Sequence, residues 1–173
     1  FVIFPHKAHV RARMRKTLRL GGSRYTFDSC FSRVIGACSL APRPGQNGTW
    51  ITADIVSAYE ELHRLGHAHS VEAWQDGELV GGLYGVSVGR FFCGESMFSM
   101  VSNASKACFL TLAVQLKQAG VPVIDSQVHT ELFTSLGAEH IPRDQYLDLL
   151  AANRHEDLLH GSWTSRFVSD PGW

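Results

Sequence analysis

The sequence has no apolar run long enough to cross a bilayer, and no stretch that reads as a signal peptide. Cysteine is scarce: Cys30, Cys38, Cys93 and Cys108 form no CxxC pair and each sits among apolar neighbours. That excludes a disulfide framework and reads as reduced, core-type thiols of a cytoplasmic protein. Net charge is also missing, with 16 Lys and Arg against 16 Asp and Glu, so bulk electrostatics names no partner. There is no internal repeat and no low-complexity linker. What is present is 173 residues, 45% of them hydrophobic, enough for one domain over residues 1–173 with a proper core. The chain begins inside an apolar, strand-like stretch at residues 1–4, which suggests a further segment upstream.

Charge is uneven although it balances. Lys7, Arg11, Arg13, Arg15, Lys16, Arg19 and Arg24 follow one another with no acid between them. Such a run is either the footprint of a polyanion or a solvated helix face.

The apolar periodicity predicts elements in the following order. Residues 8–18 predict a basic helix ending at Gly21 and Gly22, and residues 25–27 a short strand. Asp28 is placed to cap a helix whose Phe31, Val34, Ile35 and Cys38 share one face. After a loop rich in Pro and Gly, Thr52 is placed to cap a helix carrying Ile55, Tyr59 and Leu62 inward, with Gly66 ending it. Residues 69–74 and 78–84 predict a hairpin through Asp76-Gly77, and residues 90–93 a third strand. A helix at 103–118, a strand at 121–128, a short helix at 130–136 and a helix after Pro142 complete the order. The result is an α+β fold, a mixed sheet flanked by helices in a single domain.

Residues 81–106 concentrate the chemistry. Glu95 stands in Gly94-Glu95-Ser96-Met97-Phe98-Ser99, a carboxylate among small and apolar neighbours, which is costly unless it is paired or used. Asp125 and Gln127, two apart on a predicted strand, would project from one face of an otherwise apolar segment and look toward Glu95 from the neighbouring strand. His63, His67 and His69 are split by Gly66 between a helix end and a strand start, and lack further ligands at metal spacing, so no metal site is expected. Ser96 and Ser99 have no histidine that the sequence places as a base. Trp50 and Tyr59 are either core aromatics or stacking platforms for a nucleobase.

The strand and helix order suggests the N-acetyltransferase-like (GNAT) fold. Acyl-coenzyme A members of that fold carry a Gly-rich turn ahead of the crossover helix, whose amides bind pyrophosphate. Here that turn runs from Met100 to Lys106 without a glycine, which argues against coenzyme A.

Several blocks resemble the bacterial leucyl/phenylalanyl-tRNA–protein transferases: Gly48-Thr49-Trp50-Ile51-Thr52, Leu65-Gly66-His67-Ala68-His69-Ser70-Val71-Glu72, Leu79-Val80-Gly81-Gly82-Leu83-Tyr84-Gly85, Phe92-Cys93-Gly94-Glu95-Ser96-Met97-Phe98-Ser99, Asn103-Ala104-Ser105-Lys106 and Ser135-Leu136-Gly137-Ala138. The resemblance implies transfer of Leu or Phe from aminoacyl-tRNA to the N-terminal Arg or Lys of a protein, by a monomer needing neither metal nor other cofactor. It implies Glu95, Gln127 and Asp125 as the catalytic set and Trp50 against the 3′ adenosine. Leu83, Phe92, Met97, Phe109 and Ile124 would line the aminoacyl side-chain pocket, and Met is a further expected donor. The basic run, Lys7, Arg11, Arg13, Arg15, Lys16 and Arg19, would follow the tRNA backbone. Three departures accompany the resemblance: the family's N-terminal domain is not in this chain, Met100 replaces an Arg, and Leu132-Phe133 replaces a His. They leave room for a member redirected to a small peptide or metabolite, or for a non-catalytic aminoacyl-tRNA-binding remnant.

Overall fold

The Asp76-Gly77 turn has positive φ at both residues, 51° and 83°, as a tight two-residue hairpin requires. It joins β3 (Ala68–Gln75) to β4 (Glu78–Val88), the long central pair of the sheet. The computed structural model describes residues 1–8, 12, 15–16, 22–42 and 48–167. Among them six strands form one sheet in the order β1-β6-β5-β4-β3-β2, adding β1 (Val2–Ile3), β2 (Arg24–Phe27), β5 (Phe91–Ser99) and β6 (Val123–Asp125). All neighbours are antiparallel except β5 and β6. Several predicted strands change length, and the 78–84 strand runs on to Val88. The third runs on to Ser99 instead of stopping at 93, because Met97 and Phe98 find partners on β4; the 121–128 strand shrinks to Val123–Asp125.

Side chains alternate across β4, and the two faces take different helices. Tyr84 faces α1 (Phe31–Leu40) and α2 (Ala53–Arg64), in a core with Phe31, Val34, Ile35, Cys38 and Ile51. Leu83 faces α3 (Ala104–Gln118), the crossover between the parallel strands. α3 is buried on nearly all sides, from Ala107 and Cys108 through Leu112 to Leu116, and Leu159 and Trp163 of the C-terminal segment belong to the same core. Two further helices, α4 (Glu131–Ser135) and α5 (Arg143–Asn153), follow β6. Thr52 and Thr130 cap α2 and α4, accepting from the amides of Ile55 and Phe133.

Asp28 does not cap α1. Its own φ is 53°, and its carboxylate turns to the sheet, accepting from the amides of Ser70 (2.9 Å) and Trp163 (2.8 Å) and from His69 Nδ1 (3.0 Å). Nε2 of His69 lies 3.1 Å from the Ser87 hydroxyl, which also reaches the His67 carbonyl at 3.2 Å, while the ring lies flat on Trp163 at 3.8 Å. Burial lowers the His69 pKa, outweighing the Asp28 contact and favouring the neutral ring.

Glu72 is the other buried polar anchor, with no exposed surface. It accepts from the hydroxyls of Ser70 (2.5 Å) and Thr26 (2.6 Å) and from the Ser29 amide (3.4 Å). Burial nonetheless raises its pKa above the ordinary 4.5, outweighing those hydrogen bonds. The folded chain therefore keeps this proton to higher pH than the unfolded chain. The contribution to stability is full below 4.5 and is lost as pH rises through the raised value. Melting temperature measured against pH should show that decline in the parent and lose it in Glu72→Gln. Glu72→Ala should lower stability by about 1–3 kcal/mol at low pH, since three donors lose their acceptor, and by less as pH rises through the raised value.

Candidate active site

β5 and β6 pair for three rungs only: Phe91 with Val123, Phe92 with Ile124 and Cys93 with Asp125. β6 then ends while β5 continues, and the parting strands leave a wedge. A cavity of about 460 Å³ opens there, within the usual range for small-ligand sites.

The apolar wall of the cavity follows from strand pairing. Leu83 lies opposite Met97 across β4 and β5, and Phe92 lies beside Ile124 across β5 and β6. Phe109 and Leu112 of α3 complete one side. Leu132 and Phe133 of α4 close the other, with Phe133 edge-on to Phe109 at 5.1 Å. Leu83, Phe92, Met97, Phe109 and Ile124, named from the sequence as pocket residues, thus line one cavity. Leu112, Leu132 and Phe133 are additions. Leu112 had a signal, since it follows Phe109 by three on a helix.

The polar rim begins with Glu95. Gly85 pairs with Gly94 and Tyr84 with Ser96, so Glu95 is the extra residue of a β-bulge. The bulge depends on glycine: a Cβ on Gly85 would stand 2.2 Å from the Cys93 carbonyl oxygen and 2.5 Å from the Phe92 ring. Glu95 is half-buried, and burial raises its pKa. A hydrogen bond from the Tyr59 hydroxyl lowers it and the Asp125 charge raises it. Burial and the Glu95 carboxylate push Tyr59 up to about 12, so its phenol remains a donor. Cys93, between the two acids, is likewise pushed up to about 12, chiefly by burial, and stays a thiol.

Asp125 and Gln127 do not share a strand face. β6 ends at Asp125, and Gln127 has a φ of 57°, in the left-handed region that costs a side-chain-bearing residue roughly 1–2 kcal/mol. Asp125 supports that turn: Oδ1 accepts from the Gln127 backbone amide at 2.8 Å, and Oδ2 accepts from the Tyr146 hydroxyl at 2.9 Å. Asp125 thus fixes the Gln127 main chain, where the same-face expectation had both side chains looking toward Glu95. Gln127 itself is exposed on the rim.

Trp50 stands at the cavity mouth, 45% exposed, edge-on to Tyr59 at 6.4 Å; Tyr59 is in turn edge-on to Tyr84 at 5.3 Å. Trp50 is therefore the presented ring and Tyr59 the packed one. Of the basic run, Lys7 pairs with Glu139 at 2.5 Å, and Arg15 and Lys16 are helical and exposed. Arg11, Arg13 and Arg19 lie outside the described residues. His63 and His69 both approach Asp28, at 4.0 Å and 3.0 Å, with His63 Nδ1 also 2.8 Å from the Ala68 carbonyl, whereas His67 faces the His160 ring. Among the described residues no cluster of His, Cys, Asp and Glu is arranged to hold a metal.

The Glu95 environment can be tested without any substrate. In Tyr59→Phe the hydrogen bond that lowers the Glu95 pKa is gone, so its carboxyl should titrate at higher pH than in the parent. Asp125→Asn removes a charge that raises it and should move the midpoint down. Carboxyl-carbon NMR titration reads both; a midpoint unmoved in Tyr59→Phe would rule out the contact.

Comparison with known proteins agrees with the resemblance drawn above. The family profile described as leucyl/phenylalanyl-tRNA protein transferase matches residues 2–151. A leucyl/phenylalanyl-tRNA–protein transferase of Myxococcus xanthus (strain DK1622) is 48% identical over 171 residues, covering 99% of this chain and 73% of the relative. One of Cellvibrio japonicus (strain Ueda107) is 52% identical over 149 residues, covering 86% and 63%. One of Anaeromyxobacter sp. (strain K) is 48% identical over 162 residues, covering 94% and 70%. The chain thus spans between 63% and 73% of the length of these relatives. A solved structure of a functionally unknown conserved protein from Staphylococcus epidermidis ATCC 12228 overlaps at a TM-score of 0.37 with 9% identity, covering 82% of this chain and 63% of its own, too remote to argue from. Match length and identity together leave one assignment: the chain belongs to the leucyl/phenylalanyl-tRNA–protein transferase family, a family of enzymes.

Proposed function

We propose that this chain moves Leu, Phe or Met from aminoacyl-tRNA to the α-amine of an N-terminal Arg or Lys of a protein or peptide, forming a peptide bond. The observation that supports this most directly is the meeting of a half-buried carboxylate, Glu95, with an apolar cavity of about 460 Å³ where β5 and β6 part. In this reading the cavity takes the aminoacyl side chain and the exposed Trp50 indole stacks on the 3′ adenosine. Lys7, Arg11, Arg13, Arg15, Lys16 and Arg19 run along the tRNA backbone. The exposed Lys7–Glu139 pair is weak enough to yield to a phosphate.

The amine nitrogen attacks the ester carbonyl, an N–C bond forms, and the C–O bond to the ribose breaks with its electron pair passing to the ribose oxygen. The amine proton ends on that oxygen through water or a ribose hydroxyl. Glu95, once ionised, holds the cationic acceptor. Gln127 orients the reacting groups by hydrogen bonding, since a neutral amide is too weak a base to take the proton, and Asp125 holds the Gln127 turn. The ester already stores the driving force, so the reaction as proposed uses no metal and no coenzyme A. The α3 start supports the latter: the Ser105 amide is already engaged by the Ser99 hydroxyl oxygen at 2.9 Å. The parallel strands parting beside a crossover helix favour an N-acetyltransferase-like sheet for the whole of residues 1–173, acting as a monomer in the cytoplasm.

Radiolabelled leucyl-tRNA with an Arg-initiated peptide, run beside acetyl-coenzyme A, tests the reading. Label should enter the peptide only from the tRNA, and Glu95→Gln should lose about a hundredfold or more in transfer while tRNA binding persists. Acetyl transfer, or tRNA binding with no transfer by the parent, would overturn it.

Donor choice follows from the wall. Phe109 and Phe133 side by side shorten the cavity, and Met97 adapts to its occupant, so initial rates with leucyl- and methionyl-tRNA should exceed those with phenylalanyl-tRNA. β-Branched Val widens next to its backbone and forgoes a methylene, about 1–3 kcal/mol, so Leu should exceed Val by tens to a few hundredfold. A preference for Phe, or equal use of Val, would contradict this cavity shape.

A further inference from the structure

Helix α5 is pinned to both strands that carry the polar rim. Near its start, Tyr146 donates to Asp125 Oδ2 at 2.9 Å while its ring stands edge-on to Phe91 of β5 at 5.9 Å. At its end the Asn153 carbonyl accepts from the Arg90 amide at 3.0 Å. The β4–β5 turn presses so close there that a Cβ on Gly89 would stand 2.1 Å from the same carbonyl oxygen. One end of the helix is thus fixed to the root of β5, which leads to Glu95. The other is fixed to Asp125, which supports the Gln127 turn. Past Cys93 and Asp125 the two strands no longer pair, so the sheet itself does not set how Gln127 stands relative to Glu95.

We propose that Tyr146 is a positioning residue for aminoacyl transfer. Its hydroxyl holds one oxygen of Asp125 so that the other stays on the Gln127 amide, keeping that residue left-handed and directed across the wedge toward Glu95. A carboxylate held by a single bond can swing about its own axis; held at both oxygens it cannot, and a side-chain-bearing residue at a φ of 57° needs such support. Burial and the Asp125 bond both raise the Tyr146 pKa, so the phenol remains a donor throughout the neutral range. The inference rests on the transferase reading above, and adds to it a residue that touches neither substrate.

Tyr146→Phe keeps the ring on Phe91 and removes only the hydroxyl. Its kcat for transfer from leucyl-tRNA should fall by about tenfold, with KM for leucyl-tRNA within roughly twofold of the parent. In the free protein, amide hydrogen exchange at Gln127, followed by NMR, should quicken by about tenfold. Added to Gln127→Ala, the substitution should cost nothing further, because the side chain it positions is gone. Leu149→Ala, a packing change on the same helix, should lower the melting temperature and leave kcat unchanged. An unchanged kcat, kcat and KM altered in parallel, unchanged Gln127 exchange, or full additivity with Gln127→Ala would each overturn the proposal. If the parent shows no transfer at all, the transferase reading falls, and Gln127 exchange alone decides whether Tyr146 holds the turn.

Discussion

Two parallel strands that pair for three rungs and then part are the constraint on which the rest of this molecule depends. Parallel neighbours cannot be joined by a tight turn, so the chain between β5 and β6 must cross over, and α3 is that crossover. A crossover helix laid on the sheet must be apolar where it touches, which puts Phe109 and Leu112 over Leu83, Phe92 and Ile124. Because β6 stops at Asp125, those side chains are covered on one side and open on the other. The cavity is the part of this layer that the sheet leaves unfilled.

Two carboxylates show how differently one fold treats buried acid. Glu72 is enclosed and given three donors, which makes it a tie between β3, β2 and the start of α1. Glu95 is put at a bulge, half-exposed, with one phenol for company and another acid nearby. The first environment suits a group that never changes partner. The second leaves capacity unfilled, which is what a site for a cationic or amine-bearing ligand needs. The conformational price of the second arrangement falls on glycine at position 85, the residue type able to accept the carbonyl that the bulge pushes toward it.

How much of this could be read in advance depends on the range of the interaction involved. The hairpin at Asp76-Gly77 and the cap at Thr52 rest on neighbours in sequence, and were legible for that reason. Glu95 stood out because a charge among Gly94, Met97 and Phe98 breaks local apolar pattern. Asp125 and Gln127 stood out for the same reason, but their geometry did not: strand periodicity holds only while the strand lasts, and β6 ends between them. Asp28 misled because a cap and an anchor use the same carboxylate, and its partner Trp163 lies 135 residues away. Tyr146 was invisible, being one more polar residue on a helix until folding brings it to Asp125.

Trp163 carries one more consequence. It lies past residue 151, where the similarity to the family profile ends, yet it has no exposed surface, covers His69 face to face and supplies an amide to Asp28. A boundary drawn by the family profile and one drawn by packing therefore fall in different places on this chain. A fragment trimmed to the matched region would keep every residue of the cavity but leave an aromatic-sized slot open over the sheet, with Asp28 short of a donor at its base. For grafting, recombination or crystallisation the smallest coherent unit runs at least through Trp163.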